Sequence, residues 1–419
     1  MRTMKDSGLS WVGEIPSDWV AHPVYYYFGE RKNKNIFGQE DNLLSLSYGR
    51  VIRKDINTNG GLLPESFNTY NIVEAGDIII RPTDLQNDKK SLRTGLCLER
   101  GIITSAYIAL RPIRRLNSGF FRYLLHAYDI SKVFYNMGNG VRQGLNFSEF
   151  SRLTVFEPPI EIQDKVTQYL DTATAEVDKI ISDIQTQIDT LEQYKRSVIT
   201  ETVTKGLNPN AEMKDSGVFY MAPMNVTWRL TKIGYVCSKL SRPFAPEDTA
   251  LICSNKGKVQ VRADDLTGIM VSDDNAMQGI RSGDIAIHGM DTWHGAIALS
   301  EYDGKITRVV HVCDSTEDKR FIVYYMQHLA FQGVYKLISN GVRGNTSDFR
   351  SWDKVRDIWI AIPETKEEQA AICDYLDRQC TAVEEVIATK KEQLEVLGEY
   401  KKSLIFEYVT GKKEVPCND

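Results

Sequence analysis

Long apolar runs are missing from this chain of 419 residues. The longest, such as Ile78-Ile79-Ile80, fall far short of the roughly 20 residues that a membrane-spanning helix needs. No charged-then-apolar secretion signal opens the sequence either, so residence in a cytosol is expected. Cysteine is sparse: the seven residues at 97, 237, 253, 313, 373, 380 and 417 form no C-x-x-C pair and no clustered framework, and free thiols follow. Catalytic signatures are absent too. There is no G-x-x-x-x-G-K-[ST] phosphate loop, no G-x-G-x-x-G after a strand and no H-E-x-x-H zinc helix. Nor is there an Asn/Asp-Pro-Pro-aromatic sequence of the kind adenine methyltransferases use, since Glu157-Pro158-Pro159-Ile160 does not qualify.

What is present describes a globular protein of several parts. Hydrophobic residues at 42% and charged residues at 26% exclude a largely disordered chain, and the length calls for two to four domains. The net charge of -5 runs against a nucleic-acid binder, but it is unevenly spread. Residues 1–158 carry 20 basic and 16 acidic side chains, and residues 207–362 carry 18 of each. The acid gathers in 159–206 (5 basic, 9 acidic) and 363–419 (8 basic, 13 acidic). Local phosphate neutralisation by the other two segments is therefore compatible with an acidic whole.

The chain also repeats itself. Met4-Lys5-Asp6-Ser7-Gly8 recurs as Met213-Lys214-Asp215-Ser216-Gly217, and Trp19 as Trp228 at the same offset of 209. Asn139-Gly140-Val141-Arg142 recurs as Asn340-Gly341-Val342-Arg343, Tyr169-Leu170-Asp171 as Tyr375-Leu376-Asp377, and Tyr194-Lys195 with Ser197 as Tyr400-Lys401 with Ser403. The anchors keep one order, so the sequence reads as two copies of one module.

Each copy has two kinds of segment. Residues 160–205 and 366–411 carry apolar residues at three-four spacing, which predicts long helices. In the first, Leu170, Val177, Ile180, Ile184 and Leu191 mark the seam; in the second, Leu376, Val383, Val386, Leu394 and Leu397 do. Two matched stripes on one chain predict an antiparallel, coiled-coil-like pair. The other segments alternate short apolar runs with Gly-Asp and Asn-Gly turns and predict strand-rich globules, each with a helix near 120–134 or 319–339. The expected fold class is α+β: strand-rich globules at 1–158 and 207–362, helices at 159–206 and 363–412, and a tail at 413–419.

Three features of each globule suit DNA reading. The glycine loop holding Arg142, Gln143 and Asn146 matches one holding Arg343 and Asn345; Arg pairs bidentately with guanine and Asn or Gln with adenine, while glycines let backbone approach phosphate. A polar residue, Arg81 or His288, ends an apolar strand after a Gly-Asp turn and leads into divergent stretches, 83–93 (with Arg93) and 289–294. Basic stretches at Arg50, Arg53 and Lys54 and at Lys256, Lys258 and Arg262 could hold phosphates, or be solvated surface. Two rival readings are a metal-dependent nuclease built on Asp291, Asp303 and Lys305, and a scaffold whose helices merely join partners. Asp303-Gly304 is a common hairpin turn, which weakens the first, and His288 with His294 lacks a third metal ligand.

Several motifs resemble one known family. Lys5-Asp6-Ser7-Gly8, Trp11-Val12-Gly13-Glu14-Ile15-Pro16 and Trp19, the Pro158-Pro159 and Gln163 that lead into the first helix, and the exit Tyr400-Lys401-Lys402-Ser403-Leu404-Ile405 with Val409-Thr410-Gly411-Lys412 resemble the specificity subunits of type I restriction-modification systems. The resemblance covers nearly the whole chain. It departs where Met221-Ala222-Pro223-Met224 replaces the Gly-Glu-Ile-Pro of the first copy and where Pro363 lacks a preceding proline. It implies two target recognition domains, each reading half of a bipartite double-stranded site, with the helices spacing them. It also implies docking of two adenine methyltransferase subunits that use S-adenosylmethionine, motor-nuclease subunits for restriction, a prokaryotic cytosol, and no catalytic centre or cofactor in the chain itself.

Overall fold

The computed structural model describes residues 2–57, 66–83, 85, 92–133, 137, 144–262, 276–339 and 348–416. It divides into two compact units, Met1–Ile184 with Glu392–Asp419, and Gln185–Lys391. Among the described residues no helix is long and apolar enough to cross a membrane.

The first unit is centred on an antiparallel sheet in the order Phe28–Glu30, Ile108–Pro112, Ile78–Ile80, Thr94–Leu96. Ile78, Ile79 and Ile80 are fully buried, as an unbroken apolar run in a covered strand must be. The helix Ser118–Ile130 covers one face with Phe120, Phe121, Leu124 and Leu125, and Asn117 caps it by accepting the Gly119 and Phe120 N–H groups. A hairpin of Leu44–Ser47 and Arg50–Arg53 stands beside this sheet. Its two-residue turn, Tyr48-Gly49, has positive φ at both positions (48° and 76°), the mirror-image geometry that matches strand twist.

The second unit has the same strand order: Cys237–Lys239, Val310–Ser315, Ile285–His288, Ile297–Leu299. Its cover is Lys319–Phe331, ended by Gly333 at φ 71°, after which Val334–Leu337 starts afresh; the single helix expected to Ser339 is thus two. Its hairpin, Leu251–Ser254 with Lys258–Val261, turns through three residues with Gly257 in the left-handed region.

Two long helices, Ile160–Lys205 and Lys366–Val409, contribute to both units. In the first unit the Tyr169 and Tyr408 rings lie 4.6 Å apart while Lys401 reaches Asp178, which makes the two helix portions there antiparallel. In the second, Lys195 reaches Glu384 and Lys390 reaches Gln187, again antiparallel. Leu170, Val177, Leu376 and Val383 are buried, and Ile184, Leu191, Leu394 and Leu397 half-buried. Ile180 (47% exposed) and Val386 (46%) fall outside the seam, contrary to the spacing argument. At 100° per residue each sits about 60° off the stripe's centre, whereas Ile188, which the same spacing includes, and Ile387, which it does not single out, lie close to that stripe and are buried.

Candidate nucleic-acid interface

The first buried strand ends on Arg81, whose side chain is exposed and has no ion-pair partner among the described residues. Its backbone is held from beneath. The Arg81 N–H donates to the Arg93 carbonyl at 2.9 Å, and Nη1 of Arg93 donates to the carbonyls of Arg81 and Thr83. Arg93 itself is 1% exposed, and its N–H donates to Asp129 Oδ2 at 2.9 Å. The expectation that Arg93 touches DNA is corrected here: its guanidinium is spent on the carbonyls of the loop that presents Arg81.

In the second unit the equivalent strand ends on His288, and the ring has a different task. Nδ1 accepts the Asp291 N–H at 3.1 Å. Burial pushes the imidazole pKa down, against the pull of the Asp291 carboxylate. Because Nδ1 accepts a backbone proton, the 3.3 Å approach to Asp291 Oδ2 is not an ion pair. Gly289 follows, where a Cβ would meet the Phe349 carbonyl at 2.8 Å, so only glycine lets the chain pass. His294 is exposed, and among the described residues no group of three or more His, Cys, Asp or Glu side chains is placed to hold a metal.

The basic stretches prove heterogeneous. Arg53 grips Glu99 through both Nε and Nη2, a fork geometry that sets each group's charge against the other. Lys258 donates to Glu384 Oε2 at 2.6 Å, and Arg50 to Asp178 Oδ2 at 2.7 Å. Lys54 and Lys256 are exposed, without an ion pair among the described residues. Among the described residues, the predicted cations left without an ion pair are thus Arg81 and Lys54 in the first unit and Lys256 and Arg262 in the second. Arg142, Gln143, Arg343 and Asn345 lie outside the described residues. Asn146 is a helix cap: its Oδ1 accepts the Glu149 N–H at 3.0 Å while Glu149 reaches back to the Asn146 N–H, a reciprocal box around the turn Phe147–Phe150. That fixes its side-chain oxygen to backbone, a role the sequence reading did not assign it.

The nuclease-like trio does not present itself as a site. Lys305 is 8% exposed and donates to the Pro246 carbonyl at 2.6 Å, with the Phe244 ring 5.8 Å away. Asp303 accepts the Ser282 N–H at 2.8 Å, and Asp291 precedes the short helix Thr292–His294.

Several repeated motifs are explained by backbone. Lys5 donates to the carbonyls of Ser17 and Trp19, and Lys214 to those of Val226 and Trp228. Asp6 and Asp215 each accept the N–H two residues on, at Gly8 and Gly217. The Gly-Asp turns bury their carboxylates: Asp77 pairs with Arg31 and Asp284 with Arg242. Neither arginine was legible as a partner, because each lies more than 40 residues away in sequence. Tyr48, 74% exposed at the first hairpin tip, was also passed over, although Tyr-Gly between two short runs is a turn signal.

No family model matches the sequence, and no curated protein does. Among solved structures, a chain of a type I R-M system, from the structural study of that system's complex assembly and conformational transition, is similar with a TM-score of 0.67 and 14% identity over 95% of this chain and 99% of that one. The chain has the fold of that chain. The HsdS subunit from Thermoanaerobacter tengcongensis (TM-score 0.45, 14% identity, 95% of this chain and 98% of that one) is also similar. So is the type I restriction-modification system S subunit from M. genitalium (TM-score 0.38, 12% identity, 93% and 96%). Within this fold, strand ends and hairpins of each unit carry the exposed cations described above.

Proposed function

We propose that this chain is the sequence-specific DNA-binding specificity subunit of a type I restriction-modification complex. The observation that carries the reading is the fold likeness over nearly the full length of both chains. The recurrence of one strand order in both units supports a tandem repeat, with target recognition domains at 1–158 and 207–362, each reading half of a bipartite double-stranded target. The helices at 159–206 and 363–412 space the readers and dock two adenine methyltransferase subunits, and motor-endonuclease subunits join for restriction. The chain is non-catalytic and binds no cofactor; S-adenosylmethionine belongs to the methyltransferase. The complex works in the prokaryotic cytosol. Lys305 argues against the nuclease alternative, since its ammonium lies on a carbonyl rather than in an open acidic cleft.

The test is selection from a random duplex pool with the chain and its methyltransferase, followed by methylation mapping. A two-part motif with a fixed gap is expected, and Arg142→Ala weakens discrimination at one half while Arg343→Ala affects the other. Enrichment of no motif sinks the proposal. Equal weakening on all sequences makes these arginines phosphate contacts instead.

A further inference from the structure

The ion pairs of each unit join into a three-part bridge. In the first unit, Asp178 on the first long helix accepts Arg50 from the hairpin at Oδ2 (2.7 Å) and Lys401 from the second long helix at Oδ1 (2.5 Å). In the second unit, Glu384 on the second long helix accepts Lys258 from the hairpin at Oε2 (2.6 Å) and Lys195 from the first long helix at Oε1 (3.3 Å). One carboxylate thus joins a hairpin, its own helix and the antiparallel helix, with one oxygen for each cation.

Three details set these bridges apart from incidental surface pairs. The chemistry is conserved by compensation: the shorter Asp meets the longer Arg, and the longer Glu meets the shorter Lys. Both hairpins, despite turns of different length, present the cation as the first strand residue after the turn. The third partner is the lysine of the recurring Tyr194-Lys195 and Tyr400-Lys401, which no backbone turn accounts for. Beneath each hairpin lies a cavity, about 490 Å³ in the first unit and about 660 Å³ in the second, bounded by hairpin residues on one side and helix residues on the other. All three members of each bridge line that cavity, Arg50, Asp178 and Lys401 in the first unit and Lys258, Glu384 and Lys195 in the second. Burial presses the Glu384 carboxyl pKa up, yet Lys258 and Lys195 overcome it and leave it lowered.

We infer that Asp178 and Glu384 are positioning residues that clamp each DNA-reading module's hairpin to the helix pair. An isolated exposed pair contributes little, whereas a partly buried carboxylate shared by two cations holds a geometry. The hairpins carry Lys54 and Lys256, so the clamp sets where those cations stand. The DNA part of this inference rests on the function proposed above; the clamp itself does not.

Hydrogen–deuterium exchange on the full chain tests the clamp without DNA. Asp178→Asn is expected to speed exchange at residues 44–53 roughly fivefold, the scale of about 1 kcal/mol of lost network energy, with residues 251–261 unchanged. Glu384→Gln does the reverse, and Asp178→Glu and Glu384→Asp, which keep the charge, restore protection. Unchanged exchange in a variant's own hairpin, or an equal rise in both hairpins, overturns the clamp. With methyltransferase and a selected target, Asp178→Asn keeps both half-site sequences and tolerates a gap changed by one base pair; altered half-site sequences overturn the positioning role. If the unmodified chain selects no target, the proposed function fails while the exchange result still decides the clamp.

Discussion

The backbone N–H of Asp318, at the cap of the helix Lys319–Phe331, is held by Oε1 of Gln369 at 2.9 Å from the first turn of the second long helix. The same amide's nitrogen donates to Glu317 and to the Pro363 carbonyl, and Gln163 repeats the arrangement with Asn117 and Pro158. Both glutamines are buried, 0% and 1% exposed. Gln369→Leu is expected to cost about 2 kcal/mol, because a buried N–H and a buried carbonyl lose their partners at once. Urea denaturation measures it; a midpoint equal to that of the unmodified chain refutes it.

Arg81 and Arg93 should separate by assay. Arg93→Met strands the carbonyls of Arg81 and Thr83 and is expected to lower stability by about 2 kcal/mol. Arg81→Ala leaves the melting temperature unchanged and weakens DNA binding, with the salt slope falling by about 0.9 if the lost contact is a phosphate. Fluorescence anisotropy across a salt series, beside a thermal melt, distinguishes the two variants.

Acid should destabilise each unit through one histidine, the buried His328 and the half-buried His126. His328 is 4% exposed and burial lowers its pKa to about 4; His126 is lowered to about 4 by burial first and then by Arg122, Lys401 and Lys402. A histidine whose folded pKa lies below its unfolded value takes up protons on unfolding, so its neutral form favours the fold above about pH 6.5 and stability falls as pH drops toward 4. The decline is at most about 3 kcal/mol for each residue. His328→Gln should flatten the acid side of the stability profile; an unaltered profile refutes the assignment.

Tyr48 holds a left-handed conformation that suits Asn or Gly better. Tyr48→Asn is expected to raise stability by roughly 0.5 kcal/mol. A loss of DNA affinity despite that gain would mark the exposed ring as a contact, and a melt paired with a binding titration reads both.

The long helices were legible in the sequence because three-four spacing over 46 and 44 residues leaves no other reading, and Gly206 and Gly411 mark their ends. The seam was read less well: spacing alone admits Ile180 and Val386, which sit on its shoulder. Strand positions followed from apolar runs such as Ile78–Ile80. What sequence could not convey was the use of each cation. Arg53 and Lys258 in their basic stretches and Arg93 in its divergent stretch look alike as cations, and only the fold brings Glu99, Glu384 or the loop carbonyls within reach. The carboxylates that matter lie as far as 126 and 128 residues from their hairpin partners, beyond any local pattern.

The division into units also orders events at the ribosome. The second unit is one continuous stretch, Gln185–Lys391, whereas the first needs residues after Glu392 to complete it. Leu404, Ile405, Tyr408 and Val409 are buried in the same core as Trp19 and Phe120. At about 5–20 residues per second, the early half of that core waits on the order of ten seconds or more for its closing helix. The part translated first is therefore finished last, and during that interval its exposed apolar face is the one a nascent-chain chaperone would meet.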